Sequence, residues 1–226
     1  MLAIDKRKAK RRKILLVILL CLLTLGVIAG VFFGLKWYLD EFNQKNEVVN
    51  PDGTTVVDGI TIGEIPESEW YVPAENPKFL SIPSIGVNNA RVENLGIKAG
   101  TASQMDDPIY SMSVGWYRDS ARPGDGFGVG LYDGHFGVGA YKAVFTNLAR
   151  VAIGAEVIIE RGDGAKFTYS VVENTTAPLA DININAIVAS FDPNVEGIML
   201  ITCAGTWDVA SQAYDQRTFV RAVLVI

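Results

Sequence analysis

The longest apolar run of the chain lies near its N-terminus. Residues 14–35 are 22 consecutive positions without a charge, and at about 1.5 Å per residue a helix of that length crosses a hydrocarbon core of about 30 Å. The run ends at Lys36-Trp37-Tyr38, where aromatic side chains suit a membrane interface. It therefore predicts one transmembrane helix at residues 14–35. The alternative is a cleaved signal peptide, whose apolar core is shorter, about 7–15 residues.

Residues 36–72 are polar and acidic, with Pro51-Asp52-Gly53 and Pro66 between short apolar clusters. This composition predicts a linker of limited structure that holds the following domain away from the membrane. The alternative is a lid that folds over a functional site. A folded domain is expected to begin near Pro73 and to comprise residues 73–226.

Within this domain, apolar positions mostly follow the two-residue period of strands. Lys78 to Ile82 alternates in this way before a proline. The strongest hairpin signal is the pair Glu156–Glu160 and Lys166–Glu173, joined by the turn Gly162-Asp163-Gly164. These segments predict short antiparallel strands.

Two further runs predict strands and one predicts a helix. Ile198 to Thr202 is a continuous apolar run typical of a buried strand, and Thr218 to Ile226 is rich in β-branched residues. In Gly139–Leu148 the apolar residues have helical spacing, which predicts a short helix on the sheet. Several short strands with few helices predict an all-β barrel or sandwich.

Charge is distributed unevenly along the chain. The net charge is −5, but residues 1–13 contain 7 of the 20 Lys+Arg and 1 of the 25 Asp+Glu, so the remainder carries 13 − 24 = −11. By the positive-inside rule the basic segment 1–13 is cytoplasmic and everything beyond the anchor is extracellular. An acidic exterior argues against a nucleic-acid partner, because phosphate affinity comes from basic clusters.

The chain has two cysteines, Cys21 and Cys203. Cys21 lies inside the predicted anchor, so Cys203 is expected to be a free extracellular thiol. It ends an apolar run and precedes Ala204-Gly205, where little side-chain bulk would hinder a substrate backbone. Such a thiol is either an inert buried group or a nucleophile, and the residues alone leave both possibilities open.

His135 is the only histidine in the chain, so any cysteine–histidine mechanism must use it. Arg217 follows Cys203 by 14 residues, and Arg221 lies on the same face of an extended strand as Arg217. Each of these residues could also be an ordinary surface residue. One histidine and one usable cysteine, without ligand spacing, do not make a zinc site, so no metal and no cofactor are expected.

Taken together, these residues resemble a known family. The order His135, then Leu200-Ile201-Thr202-Cys203 at a strand end, then Arg217 at the start of the next strand is similar to the sortases, membrane-anchored cysteine transpeptidases of Gram-positive-type cell envelopes. Further similar segments between Phe79 and Ile226 are Ile82-Pro83-Ser84-Ile85-Gly86-Val87, Gly115-Trp116-Tyr117, Gly134-His135, Val144-Phe145 with Leu148 and Gly154, and Tyr169-Ser170-Val171. The Gly-Trp-Tyr segment, the Pro123-Gly124 loop and the single anchor are most similar to class E/F. Two departures are Met199, where the family usually has Thr, and Asp133, where it often has a small residue.

The resemblance implies a closed sortase-type β-barrel with short helices, in which His135, Cys203 and Arg217 meet at one end of a groove. In that family the cysteine forms a thioester with an LPxTG-like sorting signal, the arginine stabilises the oxyanion, and the histidine transfers protons. Thr202, Ala204 and Trp207 are predicted to contact the substrate. The implied partners are secreted proteins with a C-terminal sorting signal and an acceptor amine, either of a peptidoglycan precursor or of a pilin lysine.

Two other functions remain open from the sequence. One is a membrane-anchored cysteine peptidase, which hydrolyses its acyl-enzyme; the other is a non-catalytic β-sandwich that binds envelope components. Papain-like peptidases usually place Cys before His, and L,D-transpeptidases usually keep the two close in sequence, whereas here His135 precedes Cys203 by 68 positions. Arg221 remains the alternative to Arg217.

Overall fold

A computed structural model of the chain describes residues 24, 26, 29–36, 47–49, 55–57, 60–101, 104–138 and 141–225. The chain divides into two compact units, Met1–Glu47 and Val48–Ile226. In the first unit, residues 29–36 are helical. The predicted anchor at residues 14–35 and Cys21 lie largely or wholly outside the described residues. Among the residues that are described, no helix has the length and apolar character needed to span a membrane.

Thirteen strands are described. They are β1 (Glu47–Val49), β2 (Thr55–Val57), β3 (Ile60–Ile62), β4 (Pro77–Ile82), β5 (Val87–Leu95), β6 (Val114–Tyr117), β7 (Val129–Gly134), β8 (Gly137–Val138), β9 (Tyr141–Lys142), β10 (Glu156–Arg161), β11 (Lys166–Pro178), β12 (Gly197–Asp208) and β13 (Ala213–Leu224). Short helices in the same part of the chain are the 3₁₀ turns Glu67–Glu69, Pro83–Ile85, Leu148–Arg150 and Leu179–Asp181 and the α-helix Ile184–Val188.

Eight of these strands close into a barrel in the order β10-β11-β13-β12-β7-β6-β5-β4. The pairs β5–β6 and β7–β12 are parallel and the others antiparallel. Strands β1-β2-β3 form a small separate sheet, and β8-β9 form another. The structure therefore confirms the mainly β fold and, of the two architectures expected, the barrel.

The barrel interior is filled by alternate residues of the strands. In β12, Ile198 and Leu200 are buried in the core, as are Val220 and Ala222 of β13 and Tyr132 of β7. Full burial of an aliphatic side chain stabilises a fold by about 1.5–3 kcal/mol. Because side chains alternate across a strand, the residues between these positions point to the outer face of the barrel.

The predicted hairpin is confirmed as strands β10 and β11. Glu160 lies opposite Lys166, and the two side chains form an ion pair at 3.2 Å. The turn between them contains Gly164 with a φ of +85°, a conformation that glycine adopts without strain.

The predicted helix over Gly139–Leu148 is wrong. Residues 141–142 are strand β9, turns follow, and a single 3₁₀ turn begins only at Leu148. Val144, Phe145 and Leu148 are nevertheless buried, because turns carry them into the core as well as a helix would. The Thr146 hydroxyl holds the first turn, accepting from the Ala143 N–H at 2.9 Å and donating to the Ala143 carbonyl at 2.8 Å.

Part of the segment expected to be a linker of limited structure is ordered. Strands β2 and β3 pair antiparallel, and Val57 and Ile65 are buried. Trp70 packs edge-on against Phe79 with ring centroids 5.0 Å apart. Short apolar clusters in this segment therefore find partners, and the structured part of the second unit begins before Pro73.

Candidate active site

Strands β7, β12 and β13 lie side by side in the barrel. Cys203 lies on β12 and Arg217 on β13, and His135 directly follows the last residue of β7. In the parallel pair β7–β12, Asp133 lies opposite Ile201, and His135 and Cys203 each come two residues later. In the antiparallel pair β12–β13, Cys203 lies opposite Arg217. Strand alternation places all of these side chains on the outer face of the barrel.

Thr202 secures this register. Its side chain is buried and its hydroxyl donates to the Gly134 carbonyl at 2.6 Å. This bond ties β12 to the end of β7 immediately beside His135 and Cys203. The Thr202 side chain, predicted to contact substrate, is thus directed into the barrel, where it aligns the two neighbouring residues.

Cys203 is a half-buried free thiol. Burial raises the pKa of this thiol above its ordinary value, Arg217 opposes that effect, and the nearby Asp133 and Asp107 add to it. The resting state is therefore weighted toward the neutral thiol, and the guanidinium is the group that favours the thiolate.

Asp133 is a second unusual group on this face. Burial, followed by the negative charge of Asp107, raises the pKa of Asp133 to about 7, while the Gly134 N–H and Arg217 act in the opposite direction. A carboxyl group that titrates near neutrality beside a thiol can change charge within the working range of most enzymes.

His135 is oriented by a backbone carbonyl. Its Nε2 lies 2.7 Å from the oxygen of Pro108, and because a carbonyl only accepts, Nε2 must carry the proton. The Nδ1 nitrogen is thereby left for chemistry. The main chain at His135 is held as well, since its carbonyl accepts from the Phe145 N–H at 3.0 Å.

The loop that provides this carbonyl is anchored at both sides of Pro108. On one side, Lys98 forms an ion pair with Asp107 at 2.7 Å. On the other, the Glu93 carboxylate accepts from the N–H groups of Ile109 at 2.9 Å and Tyr110 at 3.0 Å. Burial raises the pKa of Glu93, and the two N–H donors oppose the rise.

The two candidate arginines have different surroundings. Arg217 donates from Nη1 to the carbonyls of Tyr214 at 3.0 Å and Gln216 at 2.9 Å, which keeps its guanidinium at the hairpin beside Cys203. Arg221 lies opposite Met199.

Arg221 is held by the loop between β11 and β12. It donates to the carbonyls of Ala189 at 3.1 Å and Ala186 at 2.9 Å, and it pairs with Glu173 at 3.4 Å. Its position and partners assign it to holding that loop on the barrel, away from the thiol.

An aromatic cluster joins the β12–β13 hairpin to the segment after His135. The Tyr214 ring lies 5.4 Å from Phe136 and 5.3 Å from Trp207, and its hydroxyl donates to the Gly137 carbonyl at 3.4 Å. Trp207 is 47% exposed, so this predicted substrate contact has a face open to solvent.

Strand β12 continues beyond Cys203 through a bulge between Ala204 and Trp207. Ala204 is buried, so this second predicted substrate contact lies on the inner face. Gly205 has a φ of +81°, and a Cβ added there would lie 2.0 Å from Asp215 Oδ1. The left-handed backbone conformation therefore favours glycine at this position of the bulge.

A groove of about 220 Å³ lies on the same outer face. It runs between β11, β12 and β13 and the loop with the helix Ile184–Val188, and its lining includes Met199, Phe219 and Ile187.

Comparisons with known proteins identify the family of this domain. The family model of the Sortase domain matches residues 80–225. Similar solved structures include a lid mutant of sortase A from Corynebacterium diphtheriae, with 26% identity, TM-score 0.48, and coverage of 71% of this chain and 74% of that chain. Sortase C-1 from Actinomyces oris has 19% identity, TM-score 0.50, and coverage of 66% and 71%. Pilus-related sortase C of Group B Streptococcus has 18% identity, TM-score 0.50, and coverage of 73% and 74%. A search of curated proteins found no match.

The family match extends over more than half of the chain, and the barrel has the fold of the two sortase C structures. The barrel has a free thiol, Cys203, on β12 opposite Arg217 on β13. The chain belongs to the sortase family.

Sequence reasoning missed Glu93 and Pro108. No sequence pattern distinguishes a single acidic residue on a strand as functional, and the role of a backbone carbonyl does not depend on the side chain that the sequence specifies. Their connection to His135 depends on how the loop between β5 and β6 folds back, which no local pattern encodes.

Proposed function

We propose that this sortase is anchored in the cell membrane, cleaves an LPxTG-like sorting signal through a thioester on Cys203, and transfers the acyl group to an amine of the cell envelope or of a pilin subunit. The observation that carries the proposal is the register of β7, β12 and β13, which aligns His135, Cys203 and Arg217 on one outer face.

In the first step, the Cys203 thiolate attacks the carbonyl carbon of the threonyl–glycyl-type bond and forms a C–S bond. The carbonyl oxygen becomes an oxyanion, which the Arg217 guanidinium stabilises. His135, as imidazolium, donates a proton to the leaving amine while the C–N bond breaks. The product is a thioester and a neutral His135.

In the second step, the acceptor amine attacks the thioester. His135 accepts its proton, a new amide bond forms, and the C–S bond breaks to release the thiolate. A thioester suits this role because it lasts until a second nucleophile arrives. If water replaced the amine, the enzyme would be a peptidase, so product analysis with and without added amine separates transfer from hydrolysis.

The first test is covalent capture by the full-length chain. With a library of sorting-signal peptides, the wild-type protein is expected to gain the mass of the acyl fragment, and Cys203→Ala is expected to gain none while keeping its melting temperature. Cys21→Ala is the matched control and should behave as wild type. An adduct that persists in Cys203→Ala would overturn the assignment.

A further inference from the structure

The carboxylate of Glu93 lies on the outer side of β5 and binds the loop beside it. Both of its oxygens are used: Oε2 accepts from the Ile109 N–H at 2.9 Å and Oε1 from the Tyr110 N–H at 3.0 Å. The Ile109 N–H belongs to the peptide plane that joins Pro108 to Ile109, so the carboxylate that accepts from it and from the next N–H fixes the orientation of that plane. That peptide plane contains the Pro108 carbonyl.

A second element holds the same loop from the opposite direction. The Thr61 N–H of β3 donates to the Ile109 carbonyl at 2.8 Å, and the Ser111 N–H donates to the Thr61 carbonyl at 2.8 Å. The Ser111 hydroxyl, fully buried, accepts from the Gly63 N–H at 3.0 Å. With backbone bonds on one side and the carboxylate on the other, the Pro108 carbonyl has little freedom to move.

The fixed carbonyl determines which nitrogen of His135 is protonated. Pro108 O lies 2.7 Å from Nε2, so neutral His135 has its proton on Nε2 and its lone pair on Nδ1. The imidazolium keeps the same hydrogen bond, so proton transfer in either direction occurs at Nδ1 without rotation of the ring.

From this chain of contacts we propose that Glu93 is a positioning residue for His135, which sets the tautomer and the ring orientation through Ile109, Tyr110 and the Pro108 carbonyl. The reaction in which the tautomer is used is the proposed acyl transfer, so the kinetic part of the inference rests on that function. The tautomer itself does not.

Two substitutions separate hydrogen bonding from charge. Glu93→Gln presents an NH₂ group to one of the two N–H donors and so breaks the paired acceptance. Glu93→Asp keeps the negative charge but shortens the side chain, so that it no longer reaches both donors. Glu156→Gln, an exposed carboxyl on β10, is the matched control.

The chain has a single histidine, which makes its imidazole visible without assignment. In full-length protein labelled with ¹⁵N-histidine and kept in detergent, long-range ¹H–¹⁵N correlation reads the protonated nitrogen directly. We expect the Nε2–H tautomer in the wild type and in Glu156→Gln, and a mixture with the Nδ1–H tautomer in both Glu93 variants. For peptide acyl transfer, kcat should fall about tenfold at nearly constant KM, a part of the roughly 10²–10⁴-fold that acid–base catalysis contributes.

An unchanged tautomer in the Glu93 variants would overturn the proposal, whatever happens to kcat. Normal kcat and tautomer in Glu93→Asp beside a defective Glu93→Gln would overturn it too, because charge alone would then explain the effect. If Glu93→Gln does not fold, Glu93→Asp decides by the same two measurements. A wild-type protein that captures no peptide would contradict the proposed function, and the tautomer would still decide the role of Glu93.

Discussion

The polar groups at the beginning of strand β12 and those near its middle have different surroundings. At its start, Glu196 is 2% exposed, and its side-chain oxygens accept from the N–H groups of Gly124 at 3.0 Å and Gly126 at 2.8 Å and from the Tyr169 hydroxyl. Six residues into the strand, Cys203 and its neighbour Asp133 are partly buried, and burial raises the pKa of both.

The difference separates stability from reactivity. The buried Glu196 carboxylate, with a donor at each oxygen, holds the loop of Gly124 and Gly126 on the barrel. Groups whose charged form is disfavoured by burial can gain or lose a proton during a reaction, at some expense in stability. Substitution of Glu196 should therefore change the free energy of unfolding, whereas substitutions beside Cys203 should change the reaction rate.

The largest effect is expected from Arg217→Ala, which removes the guanidinium opposite Cys203. Loss of a group that stabilises an oxyanion lowers kcat by about 10²–10³-fold, and the free energy of unfolding should hardly change. Steady-state kinetics with a sorting-signal peptide and urea denaturation measure the two quantities.

Arg221→Ala is the control for this prediction, because it removes the same side chain four residues away on the same face. It should raise KM by loosening the loop that contains Ala186 and Ala189, with kcat within about tenfold of the wild type. The reverse pattern, with kcat lost only in Arg221→Ala, would assign the oxyanion role to Arg221.

At the Glu196 end the expected effect is on stability. Glu196→Ala removes an acceptor from three donors, and leaving buried donors unpaired costs about 1–3 kcal/mol. We expect the free energy of unfolding to fall by about 2–3 kcal/mol in urea denaturation, with kcat unchanged while the protein is folded.

Glu156→Ala, which removes an exposed acid, serves as the comparison for that measurement. A loss of activity in folded Glu196→Ala would mean that the hydrogen bonds of Glu196 also affect the region around Cys203.

Asp133→Asn should have a smaller and pH-dependent effect. The pKa of Asp133 is raised from 3.8 to about 7, so the folded state favours the protonated form. Stability is therefore present in full below pH 3.8 and is lost as the pH rises through about 7. The asparagine variant should match the wild type at pH 4 and be more stable at pH 8 by about 2 kcal/mol, a value reduced for partial exposure.

Denaturation curves at the two pH values check this, with Asp119→Asn, an exposed position, as reference. A wild-type stability that rises between pH 4 and 8 relative to Asp133→Asn would contradict the raised pKa.

The candidate site residues could be selected from the sequence because they are rare residue types in this chain. One histidine and one usable cysteine left a single possible pair. The structure places His135 directly after β7 and Cys203 on the neighbouring strand β12, each two residues beyond the aligned pair Asp133 and Ile201. The catalytic roles themselves stay predictions until they are measured. The hairpin β10–β11 was predictable for a different reason, because its two strands and the turn between them are consecutive in the sequence.

Features that depend on distant pairing could not be predicted. The parallel pairing of β7 with β12 joins segments with no shared pattern. It was also impossible to see that Thr61 would pair with the loop after Pro108, or that Thr202 and Ala204 would point into the barrel. The helix expected at Gly139–Leu148 rested on three apolar residues, too few to distinguish a helix from successive turns.

The hydrogen bond from Thr202 to Gly134 joins residues 68 positions apart, and it has a consequence for how the enzyme matures. Contacts between such distant segments form late in folding, because the entropy cost of closing a long loop must be met before the contacts stabilise the chain. Cys203 and His135 become neighbours only when β12 docks against β7. Until the barrel is complete, Cys203 therefore does not lie beside His135, and a partly folded chain lacks the arrangement on which the proposed reaction depends.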